Sequence, residues 1–214
     1  MARNDDDADA RADGVRLVPF GPGALLAEVG SADAALGLAL HARAARAPAR
    51  EVVPAATTVL FDGLDDARAH AVVHEIVSAW SPRSALPPGE TVEIPTAYDG
   101  ADLDGLADLW GTDRHGVIER HGAIEFVSAF CGFAPGFAYL SGLPEGLAVP
   151  RLATPRPRVP AGSVALADTW CGVYPTASPG GWRLIGRTDV ALWDAARERP
   201  ALLAPGTRVR FVPR

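Results

Sequence analysis

The sequence predicts an α+β protein in two parts: a small α/β domain of ferredoxin-like type, then a strand-rich barrel or sandwich. Three observations carry that reading. Up to about Leu86, short apolar runs alternate with two longer stretches of helical period. The segment "SPRSALPPGE" then interrupts the chain, rich in proline and without periodicity. Beyond it, glycine and proline break the sequence every few residues, the rhythm of short strands joined by turns. The boundaries that follow are an acidic tail over 1–13, a first domain over 14–86 and a second over 87–214.

In the first domain, "VRLVPF" and "ALLAEVG" are short strands separated by the turn "GPG". "SADAALGLALHARAARA" is a helix, with Ser31 placed to cap its start and Pro48 beyond its end. "EVVPAATTVLFDG" returns as extended chain, centred on Thr57 to Phe61. "DDARAHAVVHEIVSAW" is a second helix whose Val72, Val73, Ile76, Val77 and Trp80 form one stripe, ended by Pro82. The order β-β-α-β-α suggests one sheet with two helices on one face.

The second domain opens with "TVEIPTAYDG". Two short helices follow: "ADLDGLADLWG", and "TDRHGVIERHG" with Thr112 as cap and Gly122 as stop. The strands are "AIEFVSAF", "GSVALAD", "GWRLIGRT" and "TRVRFVPR".

Composition narrows the function. The formal net charge is −6, and "MARNDDDADARAD" sets five aspartates against two arginines, as expected of a solvated, disordered tail. No signal-peptide pattern or membrane-length apolar run occurs, so a cytoplasmic protein without membrane contact is expected. The acidic balance argues against nucleic acid, as does the pair of short helices, whose second carries Asp113 and Glu119 beside its basic residues. Cys131 and Cys171 are too few for a disulfide framework, and their spacing does not suit zinc. His70 and His74 stand at i, i+4 but have no evident third ligand, so no metal is expected. The chain has no lysine, which removes a phosphate-loop lysine, a Schiff base and a lysine general base together. Every fixed cation is an arginine, suited to a bidentate grip on carboxylate or phosphate.

Three runs hold the unusual residues. "CGFAPGFAYLSGL" sets Phe133, Phe137 and Tyr139 among glycines and Pro135, too broken for a regular element to turn every ring inward. "VPRLATPRPRVPAGS" places Arg151, Arg156 and Arg158 among prolines that stiffen the backbone and suit a small anion. "WCGVYPTASPGGWRLIGRT" carries Tyr174, Ser178 and the pair Gly180-Gly181, whose bare backbone admits a ligand closely. Taken singly, each run reads equally as turn and core, since glycine and proline build turns and aromatic rings fill interiors.

Together, "GFAPGFAYLSGLP", "PRLATPRPRVPAGSVALA" and "GVYPTASPGGWRLIGRT" resemble the family of the 5-oxoprolinase B component, also called kinase A inhibitor or allophanate hydrolase subunit 1. Weaker echoes extend the resemblance over about residues 15 to 213. It implies a cyclophilin-like β-barrel as the second domain, and an ATP-dependent enzyme that opens the lactam of 5-oxoproline (pyroglutamate) to glutamate. The implied partners are the C component of 5-oxoprolinase, itself a related barrel protein, and the A component. ATP, with magnesium, is used by the complex, and no cofactor is bound by this chain alone.

On this resemblance Arg158, with Arg151 or Arg156, holds a carboxylate or phosphate. The amides near Gly180 and Gly181 and the hydroxyls of Tyr174 and Ser178 stabilise developing negative charge. His121 is a candidate acid or base, or a packed histidine at a helix end. Phe133, Phe137 and Tyr139 form the apolar wall. The family's Gln-Thr pair before its G-[IV]-Y-P motif is Trp170-Cys171 here, which bears on the substrate, and its early Gly-Asp is Gly21-Pro22. The alternatives within the resemblance are a regulatory protein inhibiting a sporulation-type histidine kinase, and a carboxyltransferase-like component of a urea carboxylase or allophanate hydrolase system.

Overall fold

Side-chain oxygens start the N-terminal helices where the sequence places them. In the computed structural model, which describes residues 11–12, 14–81 and 89–214, Ser31 Oγ accepts from the Ala34 amide at 3.2 Å and Asp66 Oδ1 from the Ala69 amide at 2.8 Å. Each such cap satisfies an amide that the first helical turn leaves without a partner, worth about 1 kcal/mol. The chain divides into two units, Met1–Pro87 and Pro88–Arg214.

The first unit runs β1 (Arg11–Ala12), β2 (Val15–Pro19), β3 (Ala24–Glu28), α1 (Ala32–Ala44), β4 (Glu51–Pro54), β5 (Thr58–Asp62) and α2 (Ala67–Ser78). The extended chain after α1 is a hairpin, not one strand, so the order becomes β-β-β-α-β-β-α. Pro54 ends β4, and the Ala55 amide donates across the turn to the carbonyl of Thr58, the first residue of β5. All pairs are antiparallel, in the order β1-β2-β3-β5-β4. One face of this sheet carries Leu25, Ala27, Val59 and Phe61 against Leu38 of α1 and Val73 of α2 in a single core. Arg11 and Ala12, read as the end of the tail, pair with Arg16 and Val15. The rest of the acidic tail, and the linker from Pro82 onward with the helix-ending role given to that proline, lie outside the described residues.

The second unit begins with β6 (Thr91–Thr96), α3 (Leu103–Leu109) and α4 (Arg114–Gly122). The α4 cap is Asp113, whose Oδ1 accepts from the Gly116 amide at 2.8 Å, rather than Thr112. A Cβ on Gly116 would run into the Thr112 side chain, so Thr112 packs where a cap would bond. Gly122 is the last helical residue, and Ala123 closes the helix. Then come β7 (Phe126–Cys131), β8 (Ala138–Ser141), β9 (Arg156–Val159), β10 (Ser163–Ala167), β11 (Trp170–Val173), β12 (Ser178–Gly180), β13 (Arg183–Arg187) and β14 (Arg208–Pro213).

Seven of these strands form one sheet in the order β13-β10-β11-β8-β7-β14-β6. Its two ends meet: the amides of Ala97 and Arg187 donate to each other's carbonyls at 2.9 and 2.8 Å, joining the end of β6 to β13. The result is the barrel-like sheet that the strand rhythm predicts, with β14 and β6 its parallel pair. Its interior holds Ile94, Phe126, Leu140, Leu166, Ile185 and Phe211, each buried apolar side chain contributing about 1.5–3 kcal/mol. Among the described residues no helix is long and apolar enough to cross a membrane.

Candidate functional site

Strand alternation puts a second apolar layer on the outside of the barrel. Along β8, Ala138 and Leu140 point into the interior, while Tyr139 and the preceding Phe137 point out. Along β10, Val164 and Leu166 point in and Ala165 and Ala167 out, so the whole strand is buried. The outer cluster also takes Val159, Tyr174, Trp182 and Leu184. Gly172 on β11 makes room for it, because a Cβ there would meet Phe137 at 3.0 Å and Trp182 at 3.1 Å. The two-stranded ribbon of β9 and β12 adjoins this cluster.

A pocket of about 120 Å³ opens here. Phe133, Phe137, Tyr139 and Trp182 form its apolar side, and Arg151, Tyr174, Gly180 and Gly181 its polar side. That volume is well below the ~300–1,000 Å³ of drug-sized pockets and suits a small metabolite.

Arg151 is held by its neighbours. Arg183 Nε donates to the Pro150 carbonyl at 3.1 Å, and the Leu152 amide donates to the Gly181 carbonyl at 2.8 Å. These bonds, one on either side of Arg151, fix the backbone that carries it beside the glycine pair. Among the described residues no carboxylate pairs with Arg151, which leaves its donors available to an anion. The Tyr174 hydroxyl lies so close to Gly180 that any Cβ there would strike it. Burial raises the Tyr174 pKa above the usual phenol value, while the Trp182 amide and Arg151 pull it partly back. At neutral pH the group therefore stays protonated and donates.

Phe133 stands at the rim, 61% exposed. The Ala134 amide donates to the Gly132 carbonyl at 2.8 Å, closing a three-residue turn with φ of 71° at Phe133. A side chain is strained in that conformation, and such strain gathers at binding sites. Its ring meets Phe137 at 5.3 Å and Tyr174 at 6.2 Å between centroids.

The remaining candidates fall elsewhere. Arg156 is committed to Asp102, with Nη2 donating to Oδ1 at 2.8 Å, while Oδ2 accepts from the Leu184 amide at 2.6 Å. Arg156 still influences Tyr174 through its charge, as a positioning group beside the pocket. Arg158 is exposed and outside the lining. Ser178 Oγ is buried without a hydrogen-bond partner and does not line the pocket. Trp170 packs against Phe130 and Tyr139 at 5.4 and 5.9 Å, and Cys171 turns into the barrel. His70 Nδ1 lies 2.8 Å from the Asp66 carbonyl of its own helix. Sequence reading does not single out Asp102, Arg183 or Trp182. An aspartate before "LDGLADL" is indistinguishable from a helix cap, whereas the glycine pair beside Trp182 is a usable signal.

His121 is in the barrel interior. Tyr98 Oη lies 2.8 Å from its Nδ1 and Cys171 Sγ 3.5 Å from its Nε2, with Phe126 and Phe211 packed against the ring. Burial lowers its pKa to about 3 and raises those of the Tyr98 and Cys171 side chains. The folded protein thus holds His121 neutral, and between about pH 6.5 and 3 the unfolded chain binds one more proton than the native state. This residue's contribution to stability is full above pH 6.5 and falls with acidification by up to about 1.4 kcal/mol per pH unit. Denaturant titrations between pH 7 and 4 are expected to show a shallower pH dependence in His121→Phe than in the wild type. Equal slopes would contradict this.

A family model described as "Carboxyltransferase domain, subdomain C and D" matches residues 15–203. Over 138 residues the chain is 50% identical to the 5-oxoprolinase B component of Escherichia coli O157:H7, covering 63% of each protein. Over 124 residues it is 44% identical to the 5-oxoprolinase B component of Bacillus subtilis (strain 168), covering 56% of this chain and 52% of that protein. The matched stretch thus spans little more than half to three fifths of these relatives.

Among solved structures, TTHA0988 superposes with a TM-score of 0.76 at 34% identity, over 90% of this chain and 40% of that one. The conserved uncharacterized protein PH0987 from Pyrococcus horikoshii gives 0.56 at 33% identity, over 92% and 97%. The K. lactis urea amidolyase gives 0.72 at 17% identity over 96% of this chain and 15% of that one, a likeness of fold alone.

Proposed function

The chain belongs to the carboxyltransferase subdomain C and D family, and from that membership we propose that it acts as the B component of an ATP-dependent 5-oxoprolinase. In this reading it hydrolyses 5-oxoproline to glutamate together with an A component and a barrel-bearing C component. The observation that carries the reading is the pocket on the outer face of the barrel. There Arg151, without a carboxylate partner among the described residues, joins the glycine pair and the Tyr174 hydroxyl beside a wall of aromatic rings.

The substrate has a carboxylate, a flat five-membered ring and a lactam oxygen, and the pocket offers a counterpart to each. Arg151 takes the carboxylate, Phe137, Tyr139 and Trp182 take the ring, and the Tyr174 hydroxyl with the glycine amides faces the lactam oxygen. ATP transfers its terminal phosphoryl group to that oxygen. Water then adds to the activated carbon, the ring C–N bond breaks as the nitrogen takes a proton to become the amine, and a second water hydrolyses the resulting acyl phosphate to glutamate and phosphate. A pocket of about 120 Å³ has no room for a nucleotide, which favours ATP sitting with magnesium on a partner protein.

The test is reconstitution. The purified chain, mixed with the A and C components, ATP, magnesium and 5-oxoproline, is expected to yield glutamate only when all three proteins are present. Glutamate formed at an undiminished rate without this chain would overturn the proposal.

A further inference from the structure

A second pocket, of about 260 Å³, lies in the N-terminal unit where α1 ends and β4 begins, and the reading above gives it no role. Arg43, Arg46 and Arg50 line it, with Glu51 as the acidic group on its wall.

Arg46 occupies a place that glycine ordinarily holds. The Ala47 amide donates to the Ala42 carbonyl at 2.9 Å and the Arg46 amide to the Arg43 carbonyl at 3.0 Å. These are the paired bonds of a Schellman helix end, which needs a left-handed residue between them. Arg46 supplies it with φ of 53°, a conformation that strains any side chain. A glycine there would be the more stable choice, so the guanidinium is present at a cost in stability.

The other two arginines are also held in place. Arg43 Nη2 donates to the Val52 carbonyl at 2.7 Å, leaving its remaining N–H groups free to turn to the pocket. Arg50 runs across the bare backbone of Gly63, where a Cβ would sit 2.6 Å from the Arg50 Cβ and 2.8 Å from its Nε. Its ion pair with Asp62 is long, at 3.7 Å, and exposed, so it holds the charge only weakly. Among the described residues no carboxylate pairs with Arg43 or Arg46. The partial negative charge at the end of α1 is complemented by a cation in the last turn, where Arg43 already stands. Arg46 and Arg50 are beyond that need.

We propose that this pocket binds a small phosphate-bearing anion, gripped by Arg43, Arg46 and Arg50. Three planar guanidinium groups from three chain positions match a group with at least three acceptor oxygens better than a carboxylate with two. The volume leaves space beyond a bare phosphate for whatever carries it. The site is separate from the 5-oxoproline reading, and its test requires no enzymatic activity.

Inorganic phosphate and pyrophosphate, titrated into the full chain at constant ionic strength, are expected to raise the melting temperature saturably by a few degrees. Isothermal titration is expected to give at least ~10-fold weaker pyrophosphate binding in Arg46→Gly, with the same direction of change in Arg50→Ala, since each loses charge-assisted hydrogen bonds. Without ligand, Arg46→Gly is expected to melt at or above the wild-type temperature, which separates lost binding from lost folding. Wild-type protein that fails to bind pyrophosphate at millimolar concentration would overturn the proposal. So would Arg46→Gly and Arg50→Ala binding as tightly as wild type, or an acidic peptide binding where pyrophosphate does not.

Discussion

Arg151→Ala is expected to lower kcat/KM for 5-oxoproline in the reconstituted complex by about 10- to 100-fold while leaving the fold intact. The side chain is exposed and takes no part in either core of its unit, so its removal opens no cavity. What is lost is a charge-assisted grip on the substrate carboxylate, worth about 1.5–3 kcal/mol, which is that range of rates. Arg151→Lys is expected to recover only part of it, because an ammonium keeps the charge but not the planar pair of donors. Arg158→Ala is the control, since Arg158 lies outside the pocket and its loss is expected to leave the rate unchanged. Steady-state glutamate formation on all three variants checks this, and an Arg151→Ala rate within error of wild type would remove Arg151 from the site.

Asp102→Ala is expected to be the most destabilising of these single changes, by about 3 kcal/mol. Its carboxylate joins three parts of the second unit: it precedes α3, accepts from Arg156 on the ribbon, and accepts from the Leu184 amide on β13. The side chains are 9% exposed at Asp102 and 26% at Arg156. Breaking a buried pair costs about 3–5 kcal/mol because the remaining charge is stranded, and the partial exposure of Arg156 places the effect at the low end. Asp102→Asn keeps an acceptor for the Leu184 amide and is expected to lose less. Arg156→Met combined with Asp102→Ala is expected to regain part of the loss, since no buried charge is then left over. Denaturant unfolding of the three variants beside the wild type measures it, and a loss below about 1 kcal/mol in Asp102→Ala would show that the pair does not hold the ribbon.

Much of the architecture is legible before any coordinates. Ser31 marks the start of α1, Val73 and Val77 of the stripe read on α2 enter the core while Val72 stays outside it, and the glycine and proline rhythm after residue 122 signals short strands of a barrel-like sheet. Where the structure departs from expectation, the deciding interaction is one that residue type alone does not announce. The extended run after α1 has no glycine to mark a hairpin, and the turn is closed by an Ala55–Thr58 backbone bond instead. Thr112 and Asp113 are both good caps, and packing against Gly116 chooses between them. Arg11 and Ala12 lie in a polar segment with no strand pattern, and only pairing with β2 makes them a strand.

By itself the sequence determined the types of element and the three runs that hold the unusual residues. Those properties depend on period, turn chemistry and residue type, which are local. It also carried the family resemblance, because long motifs in fixed order survive without reference to shape. Only the tertiary structure decided which arginine lines the pocket. Arg151, Arg156 and Arg158 share one chemistry within eight positions. They are told apart by Asp102, which lies 54 residues before Arg156 in the chain and neutralises it, and by the bonds from Arg183 and Gly181 that hold the backbone around Arg151. The same is true of His121, whose burial among Phe126, Phe211 and Cys171 assigns it to the interior of the barrel. Burial and ion pairing arise between distant segments, so they become readable only once the chain has closed on itself.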